Sequence, residues 1–200
     1  SVDLNSQVFK ILSENRDKLT EAWGDEDVDA LFTNIYNNSL GKAISNRDES
    51  LLQKIVNDFL PIYIGENTEE LNSGIYATKK LYYANTNDWD KYDSFVRNRY
   101  EENAIENDRF FYNEAYEIAN EYNRNQEALN LATDFMDTAL EIDESVDNLV
   151  LMSFLNGMKG NYDKARNYIA QAENMTLNEE QKALVDELKQ LIKQAEEGSN

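Results

Sequence analysis

The sequence predicts an all-α protein: stacked antiparallel helix pairs, preceded by an irregular N-terminal helical segment and closed by a C-terminal capping helix. Three observations predict it. Breakers are scarce, with one Pro and seven Gly in 200 residues, so long stretches are free to be helical. Apolar residues recur at i, i+3, i+4, i+7 and i+8, as in Val28, Leu31, Phe32, Ile35 and Tyr36, which is the period of one helical face. A turn-plus-helix pattern also occurs more than once. Asn87-Asp88-Trp89-Asp90-Lys91-Tyr92-Asp93-Ser94-Phe95-Val96 lies on Gly160-Asn161-Tyr162-Asp163-Lys164-Ala165-Arg166-Asn167-Tyr168-Ile169. In both, an aromatic residue follows the turn, then Asp-Lys, then an aromatic and a β-branched residue at the same offsets, which marks an internal repeat.

Residues 4–23 read as two short helices broken near Ser13 to Asn15, with Asn15 placed to cap the second and Gly24 to end it. Asp25, Asp27 and Asp29 alternate like calcium-loop ligands, but no Gly stands at the sixth position and no Glu at the twelfth. They read instead as carboxylates in a first helical turn, where the helix dipole favours them. The helix from Asp27 is expected to stop around Asn37-Asn38-Ser39 and Gly41. The next, from about Arg47, buries Leu51, Leu52, Ile55, Val56, Phe59 and Leu60, and Pro61 ends or kinks it because proline lacks an amide donor. Gly65-Glu66-Asn67-Thr68 reads as a loop with Thr68 as N-cap. This places an N-terminal helical segment at 1–66, and helix pairs with their capping helix at 67–200, in one continuous domain.

After Thr68 the chain turns rich in Tyr and Asn. Leu71, Ile75, Tyr76, Leu81, Tyr82 and Tyr83 belong to one helix, and the first repeat copy follows it. Ala132, Met136 and Ala139 stand 33 residues before Ala165, Ile169 and Ala172. This copy lacks the turn glycine, and its second helix starts near Asn125. In the last copy Gly160 suits the positive φ of a helix-to-helix turn. Ala165 and Ala172 lie seven apart on one face, with Ile169 between them, and let a neighbouring helix approach. The final helix is expected from Thr176, with Glu179 completing a capping box and Leu184, Val185, Leu188, Leu191 and Ile192 forming a buried face. Glu196 to Asn200 are expected to fray.

The formal charge is −20 and the isoelectric point about 4.3. Such a surface repels phosphates, so nucleic acid is not an expected partner; a basic protein or peptide is the natural complement. There is no Cys and no His, which removes disulfides, thiol chemistry, zinc fingers and imidazole bases. No cofactor or metal is expected, and no apolar run approaches a membrane span. The polar Ser1-Val2-Asp3-Leu4-Asn5 start is no signal peptide.

Three groups merit weighing as chemistry. Asp88, Asp90 and Asp93 beside Trp89 and Tyr92 resemble a carboxylate pair with sugar-stacking rings, but acids where a turn becomes a helix serve capping and the dipole. Tyr76, Tyr82, Tyr83, Tyr100, Tyr112, Tyr116 and Tyr122 suit a binding face, and equally fill space between packed helices. Lys79 with Lys80, and Arg97 with Arg99, offer anion sites or ordinary helix-surface pairs.

The helix pairs resemble tetratricopeptide repeats, which have a period of about 34 residues and stack into a right-handed solenoid. Over roughly residues 3–195 the chain is similar to the helical region that follows the thioredoxin domain in some thioredoxin-family proteins of Bacteroidetes-type bacteria. Asn5-Ser6-Gln7-Val8-Phe9, Glu14-Asn15-Arg16-Asp17-Lys18, Asn87-Asp88-Trp89-Asp90-Lys91-Tyr92 and the repeat ending at Ala172 carry the likeness. It implies a non-catalytic scaffold that presents a groove to a protein or peptide, a redox domain upstream of Ser1, and a periplasmic or cell-envelope location. The family's Cys-x-x-Cys is absent here, so no catalytic residue carries over. In such stacks the first helix of each pair lines the concave groove, and the repeat register places Leu81, Glu117, Glu121, Val150 and Phe154 there. The alternatives are a glycan-binding module of outer-membrane nutrient uptake and a carboxylate-dependent hydrolase.

Overall fold

The computed structural model describes residues 3–4, 6–65, 68–102 and 107–199. The described elements are helical, without a strand among them, and the chain divides into two compact units, 1–95 and 96–200. Sequence reading placed the division after residue 66. The expected loop residues Glu66 and Asn67, together with Asn5 and Asn200, lie outside the described residues.

In the first unit α1 (Gln7–Glu14) and α2 (Arg16–Trp23) are short, as expected. Ser6 caps α1, its Oγ accepting from Phe9 N at 3.2 Å. Asn15 does not cap α2; its Nδ2 donates back to Ile11 O at 2.9 Å and closes α1 instead. Gly24, at φ 92°, ends α2 and leads directly into α3 (Asp25–Asn46). That helix runs straight through Asn37-Asn38-Ser39 and Gly41, where a stop was expected. Leu40 and Ala43 continue its buried face, and buried Ser39 accepts from Leu4 N at 3.0 Å, so packing overrides weak local propensity.

Helix α3 ends at Arg47, which is left-handed (φ 52°), and Asp48 N–H reaches back to Ala43 O at 2.8 Å. This is the six-to-one bond of a Schellman turn. Asp48 then caps α4 (Glu49–Lys54), accepting from Leu51 N at 3.0 Å. Next, Ile55–Phe59 widen into a π-helical turn in which Leu60 N–H bonds Ile55 O, and α5 (Leu60–Ile64) follows. Pro61 accounts for the widening, since its ring crowds the preceding turn and it donates no hydrogen bond.

The free end of α5 is closed from outside. Arg16 Nη1 donates to Ile62 O and, at 3.1 Å, to Tyr63 O, while its guanidinium sits over the Phe32 ring at 5.1 Å. Helix α6 (Thr68–Asn85) packs on α3 and α5. Gly74 permits the approach, because a Cβ there would lie 2.4 Å from Ile64 Cδ1. Tyr36 and Thr78 share a hydroxyl hydrogen bond of 2.9 Å, and Tyr82 joins the core of Phe9, Phe32, Ile35, Leu52, Ile55 and Phe59. These contacts explain why α6 belongs with the N-terminal helices and no boundary falls at residue 66. Asn87, at φ 54°, repeats the Arg47 turn, with Asp88 N–H on Tyr83 O at 2.9 Å, and α7 (Trp89–Glu102) begins.

The second unit holds the end of α7, then α8 (Asp108–Glu121), α9 (Gln126–Ile142), α10 (Val146–Met158), α11 (Tyr162–Glu173) and α12 (Glu179–Ser199). Short connections fold α9 back on α8 and α11 back on α10. Helix α10 also packs on α8, α9 and α12, and α12 on α11. Asn125 caps α9 where the sequence placed its start, accepting from Glu127 N at 3.0 Å and Ala128 N at 3.1 Å. Ala128, Ala132, Ala139, Ala165 and Ala172 are fully buried. Small side chains let backbones meet closely enough that Ser153 Oγ donates to Ala165 O at 2.8 Å.

Gly160 has the expected positive φ, 74°, and Asn161 N–H bonds Asn156 O at 2.8 Å. The turns at Arg47, Asn87 and Gly160 are thus built alike. The start of α12 differs from expectation. It begins at Glu179 rather than Thr176, because the reciprocal box is Asn178 with Gln181: Asn178 Oδ1 accepts from Gln181 N at 2.8 Å, and Gln181 Oε1 from Asn178 N at 3.2 Å. Where fraying was expected from Glu196, the helix continues through Ser199. Val185, Leu188 and Ile192 are buried on α12 as expected, whereas Leu184 and Leu191 are 46% and 48% exposed.

Candidate interaction surface on α8, α10 and α12

Most sequence candidates for chemistry take structural places. Trp89 and Tyr92 are 6% and 1% exposed, so neither ring is open to stack on a sugar. Asp88 caps α7, accepting from Lys91 N at 3.3 Å and pairing with Lys91 Nζ at 3.2 Å. Contacts with Asp88 and Glu49 hold the Lys91 ammonium pKa well above its usual value, the Glu49 hydrogen bond being the larger cause. Lys79 lies over Phe95, Lys80 over Tyr76 and Tyr92, and Arg97 over Phe111 and Phe135. These cations turn onto rings within the fold. Asp25 and Asp27 sit in the first turn of α3, and Asp29 pairs with Arg16 at 3.4 Å. Of the seven tyrosines weighed for a binding face, only Tyr116 is exposed, at 52%.

Tyr116 belongs to a surface that the first helices of the pairs build together. The second residue of α10, Asp147, is the tie. Its Oδ2 accepts from Arg109 Nη2 on α8 at 2.6 Å, and its Oδ1 from Gln181 Nε2 on α12 at 3.4 Å. Asn148 Nδ2 adds bonds to Asp108 Oδ2 at 3.0 Å and Asp143 O at 2.8 Å. All three helices therefore start side by side. From the tied residues, stripes that step by three or four residues run along each helix: Arg109, Tyr112 and Tyr116 on α8; Asp147, Leu151, Phe154 and Met158 on α10; Gln181, Leu184, Leu188 and Leu191 on α12.

On α8 the stripe is a ladder. Arg109 lies over the Tyr112 ring at 5.0 Å, and Tyr112 stacks on Tyr116 at 6.3 Å and 6°. Burial, and after it Asp147, pushes the Tyr112 hydroxyl pKa up, which keeps it protonated. Between α10 and α12, Phe154, Gly157, Met158, Leu188, Leu191, Ile192 and Ala195 line a largely apolar groove of about 260 Å³. A second groove, of about 410 Å³, lies between α11 and α12 over Ile169, Ala170 and Ile192. Its charged rim is already paired across, Arg166 to Glu196 and Lys189 to Glu173.

The sequence register for the groove requires correction. The buried residues Phe111, Glu114, Ala115 and Ile118 of α8 match Leu149, Met152, Ser153 and Asn156 of α10 thirty-eight residues on, while the alanines of α9 and α11 keep their offset of thirty-three. Tyr112 and Tyr116 therefore occupy the places that Val150 and Phe154 hold on α10. Glu117 and Glu121 are exposed, but one residue, roughly 100° around the helix, past the Tyr112–Tyr116 stripe. Val150 is 8% exposed and packs inward with Leu149, Ala165 and Val185, so it is not a contact residue. Phe154 is exposed as expected (37%), and Leu81 is exposed on α6 in the first unit. Sequence reading weighs Tyr112 and Tyr116 only among seven tyrosines and outside the groove register, and takes Leu184 and Leu191 as buried. The Phe111, Ala115, Ile118 period on α8 was the signal that would have found the first two.

Comparison with protein-family models, with curated proteins and with solved structures finds no match to this chain. Among the described residues no His, Cys, Asp or Glu cluster is arranged to hold a metal ion. No helix among them is long and apolar enough to cross a membrane.

Proposed function

We propose that the chain is a non-catalytic scaffold that binds a protein or peptide on the α8, α10 and α12 face, with the second unit a tetratricopeptide-like stack. The carrying observation is the tie at Asp147. It ties the starts of three helices together, and the stripes leading from it carry the exposed Tyr116, Phe154, Leu184 and Leu191. Rigid aromatic and aliphatic side chains on preorganised helices are how interfaces gain affinity at low ordering cost. Nearest-neighbour packing of α8 to α12 supports the stack, since each pair buries its apolar face against the next. In this reading the chain is the helical region of a thioredoxin-family protein and positions substrates for a redox domain.

The test is selection of random peptides on residues 1–200, with each enriched peptide measured again on Tyr116→Ala and Phe154→Ala. Binding reduced at least tenfold by either substitution is the expected result. Peptides that bind both variants as well as the parent would overturn the assignment of the face. The redox association has its own test. A thioredoxin domain fused to residues 1–200 should reduce a subset of disulfide proteins faster than the domain alone, and identical rates on every substrate would remove that role.

A further inference from the structure

Helix α12 carries an arrangement that names a class of occupant. Four exposed residues follow one another on one stripe, Glu180, Leu184, Glu187 and Leu191, so carboxylates and leucines alternate along it. Glu180 and Glu187 make no ion pair among the described residues. The lysines of the same helix are all engaged elsewhere: Lys182 with Glu179 at 2.7 Å, Lys189 with Glu173, and Lys193 with Glu197 at 3.9 Å. The two acids that border the apolar stripe are thus left without cations, as is Asp186 on another face of the helix. Leu191 is also a wall of the groove whose other side is Phe154 and Met158 on α10.

We infer, on the basis of the binding reading above, that this stripe and groove take one basic amphipathic helix from another protein. Leu184 and Leu191 stand two turns apart, about 10 Å along the axis, the repeat at which a second helix presents apolar side chains to a partner. Side chains at i and i+7 of the incoming helix meet the two leucines, the nearer entering the groove against Phe154. Lysine or arginine at the flanking positions meets Glu180 and Glu187. A second copy of this chain is the wrong occupant on charge. Each copy carries −20, and apposing two such stripes places glutamates against glutamates. An incoming cationic helix supplies the charges that α12 lacks.

The experiment uses residues 1–200 and three fluorescein-labelled synthetic peptides of sixteen residues, read by fluorescence anisotropy and by peptide helicity. The first is a Leu/Lys amphipathic helix, the second has Glu in place of Lys, and the third is the Leu/Lys sequence with two central prolines. The expected result is that only the first binds, that it gains helicity on binding, and that affinity falls at least tenfold in Glu180→Lys/Glu187→Lys and in Leu191→Asp. Glu127→Lys/Glu144→Lys, which removes two exposed acids elsewhere on the same unit, should leave affinity within twofold. All these positions are exposed, and an unchanged circular dichroism spectrum checks that each variant folds.

Equal weakening by the two charge-reversal pairs would overturn the inference in favour of diffuse attraction. Binding of the proline peptide that depends on Phe154 would overturn it while the wider binding reading stands, since an extended chain would then be the occupant. No peptide binding, with sedimentation showing a dimer that Leu191→Asp disperses, would assign the stripe to a second copy. No peptide binding by a monomer would remove this inference and, if random-peptide selection also failed, the wider reading with it.

Discussion

The two units differ in what sets the spacing of their helices, although both bury rings, Phe111 and Phe135 of the second meeting at 5.7 Å. The first, residues 1–95, is packed by rings. Phe59 touches Phe9 and Tyr63 at centroid distances of 5.5 Å, Phe32 at 6.0 Å and Tyr36 at 6.1 Å. The second closes its helix pairs on fully buried alanines at a constant offset. A ring cluster tolerates irregular backbone, because large side chains bridge whatever spacing the helices leave. The π-helical turn, the short helices and the Arg16 latch all occur in the first unit. Alanine contacts instead fix the interhelical distance, so the same turn and offset can recur.

The largest expected effect tests the ring cluster. Phe59→Ala should cost about 3–5 kcal/mol in chemical denaturation, since a fully buried ring with four aromatic neighbours leaves a cavity that the backbone cannot close. A cost no greater than that of the next substitution would break the contrast. Ala165→Leu should overpack the α10/α11 contact and cost about 1–3 kcal/mol, the insertion being opposed by the Ser153 to Ala165 approach. An unchanged melting temperature would show that the alanines do not set the spacing.

A smaller effect of opposite sign is expected at Gly41. It lies exposed inside α3 with open space around a Cβ, so Gly41→Ala should raise stability by roughly 0.5–1 kcal/mol. Thermal melting reads this, and destabilisation would mean that α3 bends there. The smallest effect concerns charge in the second unit. Burial, then Asp134 and Glu141, raises the Asp137 carboxyl pKa. The folded state therefore holds that proton more tightly than the unfolded chain, and the associated stability is present at low pH and lost as pH rises through the folded value. Asp137→Asn should stabilise near neutrality by a few tenths of a kcal/mol, and the gain should vanish on acidification. A gain independent of pH would assign the effect to something other than ionisation.

The all-α class, the breaks at Asn15 and Gly24, the cap at Asn125 and the turn at Gly160 were legible because each rests on chemistry within a few residues. The run through Asn37 to Gly41 was not, since what overrides those weak helix formers is burial of Leu40 and Ala43 against distant residues. The candidate site was legible in part. Phe154 is exposed, as the repeat register expects. Glu117 and Glu121 were chosen over Tyr112 and Tyr116 because one offset was applied to both helices of a pair. Leu184 and Leu191 look like core from their period alone. Only the structure shows that Val185, Leu188 and Ile192 already complete the face that α12 turns to α10 and α11.

The unequal offsets have a use in protein engineering. From Ile118 to Ala132 the chain takes fourteen residues, and from Asn156 to the equivalent Ala165 it takes nine. The connection after α8, residues 122–125, is one residue longer than the one after α10, residues 159–161, and the other four residues lengthen the facing ends of α8 and α9. Asn123 and Arg124 are exposed there, and lengthening a surface loop adds only slowly to its closure entropy. A reporter tag introduced between these two residues would have its attachment point outside the packed faces, with no direct substitution on the Tyr116, Phe154 and Leu191 stripes.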